Sequence, residues 1–323
     1  MSSGYRTLVI KPLESLHLGL RNLGGVEEFS IDESSSLPLP STVLGALGNA
    51  AGVSLKINCD EYRNHGVYDF DDFRQLITEL FNANLNVEDT HSGEPYLWGP
   101  LIRLNGIIHV PVSEGAISDK DVRLYVEAAA KGYGKDDVRQ LIKGKLMVFS
   151  GVDSRIGISI NEAGTVGAMF KSSYVNYKAS DLSLMYLVKN PMKQLNSNVI
   201  RLGGEGRVSL ICLEDYLKVP RSGDYAVALQ PILIHSSDNA SSISNVKGLE
   251  CLEEVYGVFD GKGFKVRVMN IGLGFSEVCG FRRPMLKALP QGTVVKLRSN
   301  CSGDIAVGLL SELGYGSIYR VSL

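Results

Sequence analysis

The sequence has few cysteines, and none of the five (Cys59, Cys212, Cys251, Cys279, Cys301) forms a C-x-x-C pair. Their odd number and scatter support neither a zinc ribbon nor a disulfide framework, so buried thiols in a reducing compartment are expected. No apolar run reaches the roughly 20 residues of a membrane-spanning helix. The opening MSSGYRTLVIKPLE lacks an apolar core followed by a small-residue cleavage site, so no signal peptide is expected and the chain reads as cytoplasmic. Nucleotide fingerprints are missing too: there is no G-x-G-x-x-G at a strand-to-helix turn and no G-x-x-x-x-G-K-[ST]. Nor is there an excess of positive charge, since 33 Lys and Arg face 35 Asp and Glu for a formal net charge of -2. That balance excludes indiscriminate nucleic-acid binding. A local basic groove survives it, because screening restricts each phosphate contact to charges within about 8–10 Å.

What is present is a soluble-type composition, 44% hydrophobic and 21% charged, over 323 residues. That length predicts two domains, divided near residue 145 into 1–145 and 146–323. Residues 5–11 read as a strand stopped by Pro12. The run Leu37-Pro38-Leu39-Pro40 leads into a helix with Ser41 as its expected N-cap and Val43, Leu44 and Leu47 on one face. Phe73, Leu76, Ile77, Leu80 and Phe81 form a helical stripe over 72–81. Asn105-Gly106 is a hairpin turn within 95–112, and residues 118–143 form two helices broken at Gly132-Tyr133-Gly134. Strands are expected at 145–149, at 156–160, through Tyr174 and Tyr177, and at 208–212, 225–234, 264–269 and 293–297. A serine- and asparagine-rich loop is expected at 236–245. Strands and short helices interleave without a parallel series, which predicts an α+β fold with antiparallel sheets carrying helices on one face.

Glycine, 35 residues in all, is the informative type. The sharpest cluster is Arg201-Leu202-Gly203-Gly204-Glu205-Gly206-Arg207, directly before a strand. Such a run permits positive φ and bares backbone N–H groups, which together make a concave anion site. Its two arginines add attraction and bidentate phosphate geometry. A tight strand connection whose arginines face water accounts for the same residues. Ile271-Gly272-Leu273-Gly274-Phe275 with Cys279-Gly280-Phe281-Arg282-Arg283-Pro284 combines a turn, paired cations and an aromatic ring. That set suits a stacked base with a clamped phosphate, and equally an ordinary basic loop. Leu313-Gly314-Tyr315-Gly316 is a third and weaker cluster.

In this order the pieces resemble the third subunit of the type III-B (Cmr) CRISPR effector, a RAMP-superfamily protein that caps the 5′ tag of the guide RNA. The resemblance rests on 37–46, on Arg155 to Ile158 with Gly167 to Phe170 and Tyr174-Val175, on Leu202 to Val208, on Gly280 to Pro284 with Ala288 to Val294, and on Leu313 to Gly316. It spans about residues 6–319 and departs from the family over 18–29, which reads Leu18-Gly19-Leu20-Arg21-Asn22-Leu23-Gly24-Gly25 at its start. It implies two ferredoxin-like (RRM-like) domains, contact with the crRNA 5′ tag, and docking to the large polymerase/cyclase-like subunit and to backbone subunits, with base pairing left to read the target. Carried onto this chain, it makes Gly203, Gly204 and Gly206 backbone donors and Arg201 and Arg207 phosphate cations. Lys171, placed in a loop after Gly167, Arg282 and Arg283 follow as further cations, and Ser41 and Thr42 as hydroxyl donors. No cofactor and no metal are expected.

Other RAMP proteins cut guide precursors with a histidine acid or base, which needs a group titrating near neutrality. His17, just after the first strand, is the candidate, but no local tyrosine, lysine or second histidine accompanies it, and a packed histidine fits the context. Asp69, Asp71 and Asp72 open a helix, where carboxylates satisfy the dipole; Asp136-Asp137 invites the same reading. A non-catalytic RNA-binding subunit is therefore expected. A nuclease using His17, or a scaffold without RNA contact, stands as the alternative.

Overall fold

A computed structural model describes residues 4–22, 29–59, 70–113, 115–160, 166–191, 193–235, 243–276 and 278–323. The expected turn at 161–164, Gly24 and Gly25, Asp69 and most of the loop at 236–245 lie outside them. The fold is α+β and mostly antiparallel, with four α-helices among the described residues: α1 (Pro40–Ala50), α2 (Asp71–Phe81), α3 (Val122–Ala130) and α4 (Lys135–Ile142).

The largest sheet has eight antiparallel strands in the order Val199–Arg201, Val208–Glu214, Tyr5–Pro12, Ser183–Lys189, Leu97–Leu104, Ile107–Val112, Gly115–Ser118, Leu146–Met147. The first strand lies near its centre, and its Leu8, Val9 and Ile10 are buried. The boundary expected near residue 145 runs through this sheet, because strands from 183–214 flank the first strand on both sides. A four-stranded sheet carries the long hairpin Ser150–Ile160 and Val166–Tyr177, extended by Phe29–Ser34 in parallel and then by Gly19–Asn22. The segment expected as one strand over 225–234 is two, Tyr225–Ala228 in a five-stranded sheet and Ile232–Ile234 in a three-stranded one. Pro231 between them offers no amide to a ladder, which is where the chain changes sheet. Similarly, 264–269 divides into Phe264–Lys265 and the start of Met269–Gly272.

The helices follow their sequence signals, with one correction. Leu39, not Ser41, caps α1, and Pro40 takes the first helical position, where its missing N–H costs nothing. The whole run 37–40 is buried. The Pro38 carbonyl accepts hydrogen bonds from Gln230 Nε2 at 2.9 Å and from the Tyr186 hydroxyl at 3.3 Å, tying the entry of α1 to both halves of the chain.

Four of the five cysteines are paired, Cys59 with Cys279 and Cys251 with Cys301, while Cys212 is free and exposed. This corrects the expectation of isolated thiols. The partners stand 220 and 50 residues apart, so no spacing rule could reveal them.

Candidate nucleic-acid interface

The Gly203 loop connects Val199–Arg201 to Val208–Glu214, whose register runs Arg201 opposite Val208. Closing so short a connection requires left-handed backbone, with φ +79° at Gly203, +60° at Glu205 and +68° at Gly206. Gly203 has a second reason to be glycine: a Cβ there would stand 2.4 Å from the His17 carbonyl oxygen. The loop lies directly over His17, and Gly204 N–H donates to that carbonyl at 2.8 Å. Gly204 is thereby spent on the protein and is not the phosphate donor expected from the sequence. The Gly203, Glu205 and Gly206 amides make no hydrogen bond among the described residues. Gly206 and Glu205 are exposed, Gly203 half-buried.

Around the loop stands a charged cluster that the sequence did not assemble. Arg207 Nη1 pairs with Glu14 Oε2 at 2.8 Å and Nη2 lies 3.4 Å from Glu205 Oε2, while its buried Nε has no hydrogen-bond partner among the described residues. Glu14 also accepts the Val208 N–H at 2.8 Å. These bonds hold the Glu14 carboxyl below its usual range, the Arg207 hydrogen bond being the larger cause, and raise Arg207. The Tyr174 hydroxyl donates to Glu205 Oε2, and burial, then that bond, push the phenol up. Guanidinium carbons of Arg155 and Arg207 lie 4.5 and 4.9 Å from the Tyr174 ring centroid, in cation–π range. Glu14, Arg155 and Tyr174 were missed because they join the loop only through the pairing of Ser150–Ile160 with Val166–Tyr177 and the bridges of Leu16 to Val175 and His17 to Gly204.

The other expected contacts divide. Arg201 is exposed beside Gly206. Lys171 is exposed on the strand Val166–Tyr177, not in a loop, opposite Ile156 and two residues (about 7 Å) along from Ser173. Arg282 is exposed, whereas Arg283 turns inward: its Nε meets Asp72 Oδ2 at 2.7 Å, Nη1 donates to the Phe275 carbonyl at 2.8 Å, and its side chain is only 13% exposed. Arg283 fastens the 272–284 turn to α2 and is withdrawn as an RNA contact. Ser41 is buried and accepts the Tyr315 hydroxyl at 2.9 Å, which withdraws it too; Thr42 beside it is half-buried. Gly314 and Gly316 serve packing, since a Cβ would strike the carbonyls of Leu97 and Val307.

His17 packs beneath the Gly203 loop. Its Nδ1 lies 3.0 Å from the Ser173 carbonyl and its ring backs Gly204, where a Cβ would meet Cδ2 at 2.5 Å. Asp71 and Asp72 sit in the first turn of α2, and Asp72 Oδ1 accepts the Phe73 N–H at 2.9 Å.

No protein-family model and no curated relative matches the sequence. Solved structures do. A chain of the type III-B Cmr-beta complex bound to cognate target RNA superposes with a TM-score of 0.63 at 20% identity, covering 97% of this chain and 96% of that one. The same assembly with target RNA and AMPPnP gives 0.60 at 21%, over 97% and 95%. The chain shares the fold of that Cmr-beta chain. The likeness runs end to end, and through this fold the strand pairings collect Glu14, His17, Arg155, Tyr174 and the Gly203 loop at one place. A weaker likeness, TM-score 0.44 at 11% identity, is to the Csm3-Csm4 subcomplex of a type III-A interference complex.

Proposed function

We propose that the chain is the crRNA-capping subunit of a type III-B effector complex, built as two ferredoxin-like domains, gripping the 5′ tag and docking to the large polymerase/cyclase-like subunit. The observation that carries the reading is full-length agreement in fold with a chain of an RNA-bound type III-B assembly. The site adds support. Gly203, Glu205 and Gly206 offer amides with no hydrogen bond among the described residues, Arg201 and Arg155 are exposed cations at the loop, and Lys171 is an exposed cation on the neighbouring strand, on a body of net charge -2. Amides of this kind bind anions without a Cβ in the way, and the exposed cations release counterions when a phosphate arrives. Arg207 enters differently. It is already paired with two carboxylates, so it holds the loop open and reaches RNA only by giving up Glu14 or Glu205.

The reading includes no cleavage, because His17, the histidine under the loop among the described residues, is fixed between a carbonyl and a glycine. Docking draws on Val266, Val268, Phe275 and Met285, apolar side chains that are half or more exposed between residues 266 and 285. Surface of that kind belongs under a protein partner.

The deciding experiment is binding of a tagged guide over a salt series. The logarithm of affinity falls linearly with log salt, and Arg201→Ala and Lys171→Ala each shallow the slope by about 1. A salt-independent or absent interaction supports the scaffold alternative. Cleavage of a repeat-containing precursor by the pure protein, lost in His17→Ala, supports the nuclease.

A further inference from the structure

The strand pair at the far end of the chain gathers a set of metal-ligating groups that no sequence motif announces. His91, Cys251, Cys301 and Asp304 each present one donor atom, and all four atoms lie within 4.8 Å of one another. They come from three segments. His91 starts the short strand His91–Ser92, which pairs with Ala306–Val307 and sets His91 opposite Val307. Cys251 precedes the strand Leu252–Phe259, and Cys301 ends the 3-10 turn Ser299–Cys301.

The backbone holding these donors is firmly fixed. Arg298 N–H donates to the Cys251 carbonyl at 2.9 Å and Cys301 N–H to the Arg298 carbonyl at 3.1 Å. The buried Arg320 donates from Nε to the Asp304 carbonyl at 2.7 Å and from Nη2 to that of Cys301. Asp304 Oδ2 lies 3.0 Å from His91 Nδ1, which sets these two donors side by side. Both sulfurs are at least 98% buried, while His91 is 51% exposed and gives a cation its way in.

We infer that these four residues hold a zinc-class divalent cation whenever Cys251 and Cys301 are thiols, and that the disulfide and the metal are alternative closures of one site. Two sulfurs, one imidazole and one carboxylate make a soft tetrahedral donor set, and four protein ligands are what a structural zinc site uses. The charges balance as well: two thiolates and a carboxylate carry -3, the cation +2, and the adjacent Arg320 +1. Exchange between the closures is a two-electron step. A small dithiol delivers two electrons and two protons to the Cys251–Cys301 bond and leaves as its own cyclic disulfide, and the cation then displaces both S–H protons. Thiolate ligands at about 2.3 Å from a tetrahedral centre stand roughly 3.7 Å apart, so side-chain rotation alone opens the pair to receive the ion.

The test uses the full chain, reduced with excess dithiol, freed of it anaerobically, and titrated with Co²⁺ as a visible probe. One equivalent binds, with thiolate-to-cobalt charge-transfer bands and tetrahedral d–d absorption, and Zn²⁺ displaces it. Cys251→Ser and Cys301→Ser abolish the bands, and His91→Ala weakens binding roughly 10- to 100-fold, being a partly exposed position that leaves the fold intact by circular dichroism. Cys59→Ser with Cys279→Ser changes nothing. Absence of the bands in folded, reduced protein overturns the inference, as does unchanged binding in folded His91→Ala or loss of binding in the Cys59/Cys279 pair variant.

Discussion

Two loops of this chain look alike as sequence and are seated differently in the structure. Residues 201–207 and 272–284 both pair glycines with two arginines, and both read as phosphate clamps. In the first, Arg201 stays in solvent, Arg207 is drawn to Glu14 and Glu205, and three amides make no hydrogen bond among the described residues; in the second, Arg283 is drawn under the surface to Asp72 and Arg282 faces out. The difference is set by what lies beneath. Under the first loop is a carbonyl, that of His17, which takes one amide and leaves Arg201 in solvent, while Arg207 is held from the side by Glu14 and Glu205. Under the second is Asp72, 4% exposed at the start of α2, and a buried carboxylate at a helix N-terminus stays charged cheaply only with a cation beside it. Composition names candidates for RNA contact. The partner underneath decides whether a cation is spent on the fold.

The sharpest way to break this contrast is to remove the buried cation. Arg283→Ala takes the guanidinium from the buried Asp72 carboxylate and from the face of the Phe73 ring, over which its carbon stands at 4.8 Å. A loss of about 3–5 kcal/mol in unfolding free energy by denaturant titration is expected, with salt-slope behaviour of the folded fraction unchanged. Arg201→Ala is the mirror image: melting is unaltered, and affinity for tagged guide falls by about 1.5–3 kcal/mol, the scale of one charge-assisted contact. If Arg283→Ala proves stable and RNA-deficient instead, the two loops exchange roles.

Glycine gives a finer comparison between the same loops. Gly203 (φ +79°) and Gly280 (φ +64°) share left-handed backbone, but a Cβ at 203 strikes the His17 carbonyl while one at 280 meets nothing within 4 Å. Gly280→Ala therefore costs only the conformational term, about 1 kcal/mol, and Gly203→Ala exceeds it by about 1–2 kcal/mol, because the loop must lift off His17. Equal costs by thermal melting mean that the His17 contact does not seat the loop.

Most elements were legible in the sequence, and most site contacts were not. Periodicity located α2, Asn105-Gly106 located its hairpin, and Gly132 to Gly134 marked the break between α3 and α4, since each of these signals is local. The carboxylate Glu14 that holds Arg207 and both cysteine pairs depend on contacts between residues from 50 to 220 positions apart, which no window of the sequence contains, and Arg155 reaches the loop only through Tyr174, whose partner Glu205 is 31 positions further on. Ser41 shows a local rule misapplied. A serine after proline looks like an N-cap, but Pro40 is already helical and the serine is turned to Tyr315.

The smallest expected effect bears on how Arg207 meets RNA. In the free protein Glu14 is held low by the Arg207 hydrogen bond and then by the Val208 N–H. A depressed carboxylate stabilises the fold at pH above its unfolded value, near 4.5, and that contribution is lost as pH falls through the lowered folded value. Carboxyl-detected NMR should show Glu14 titrating below 4.5, and Arg207→Ala should move it back up, with the Val208 bond keeping part of the depression. Tagged guide then separates two modes of binding. If a phosphate displaces Glu14 from Arg207, the carboxyl loses its strongest partner beside a new negative charge, and its titration moves upward on saturation. If RNA is taken by Arg201 and the open amides while Arg207 remains a brace, Glu14 keeps its low value with guide bound. The second outcome is expected, because Arg207 is 81% buried and its partners close around it, whereas Arg201 is already in solvent.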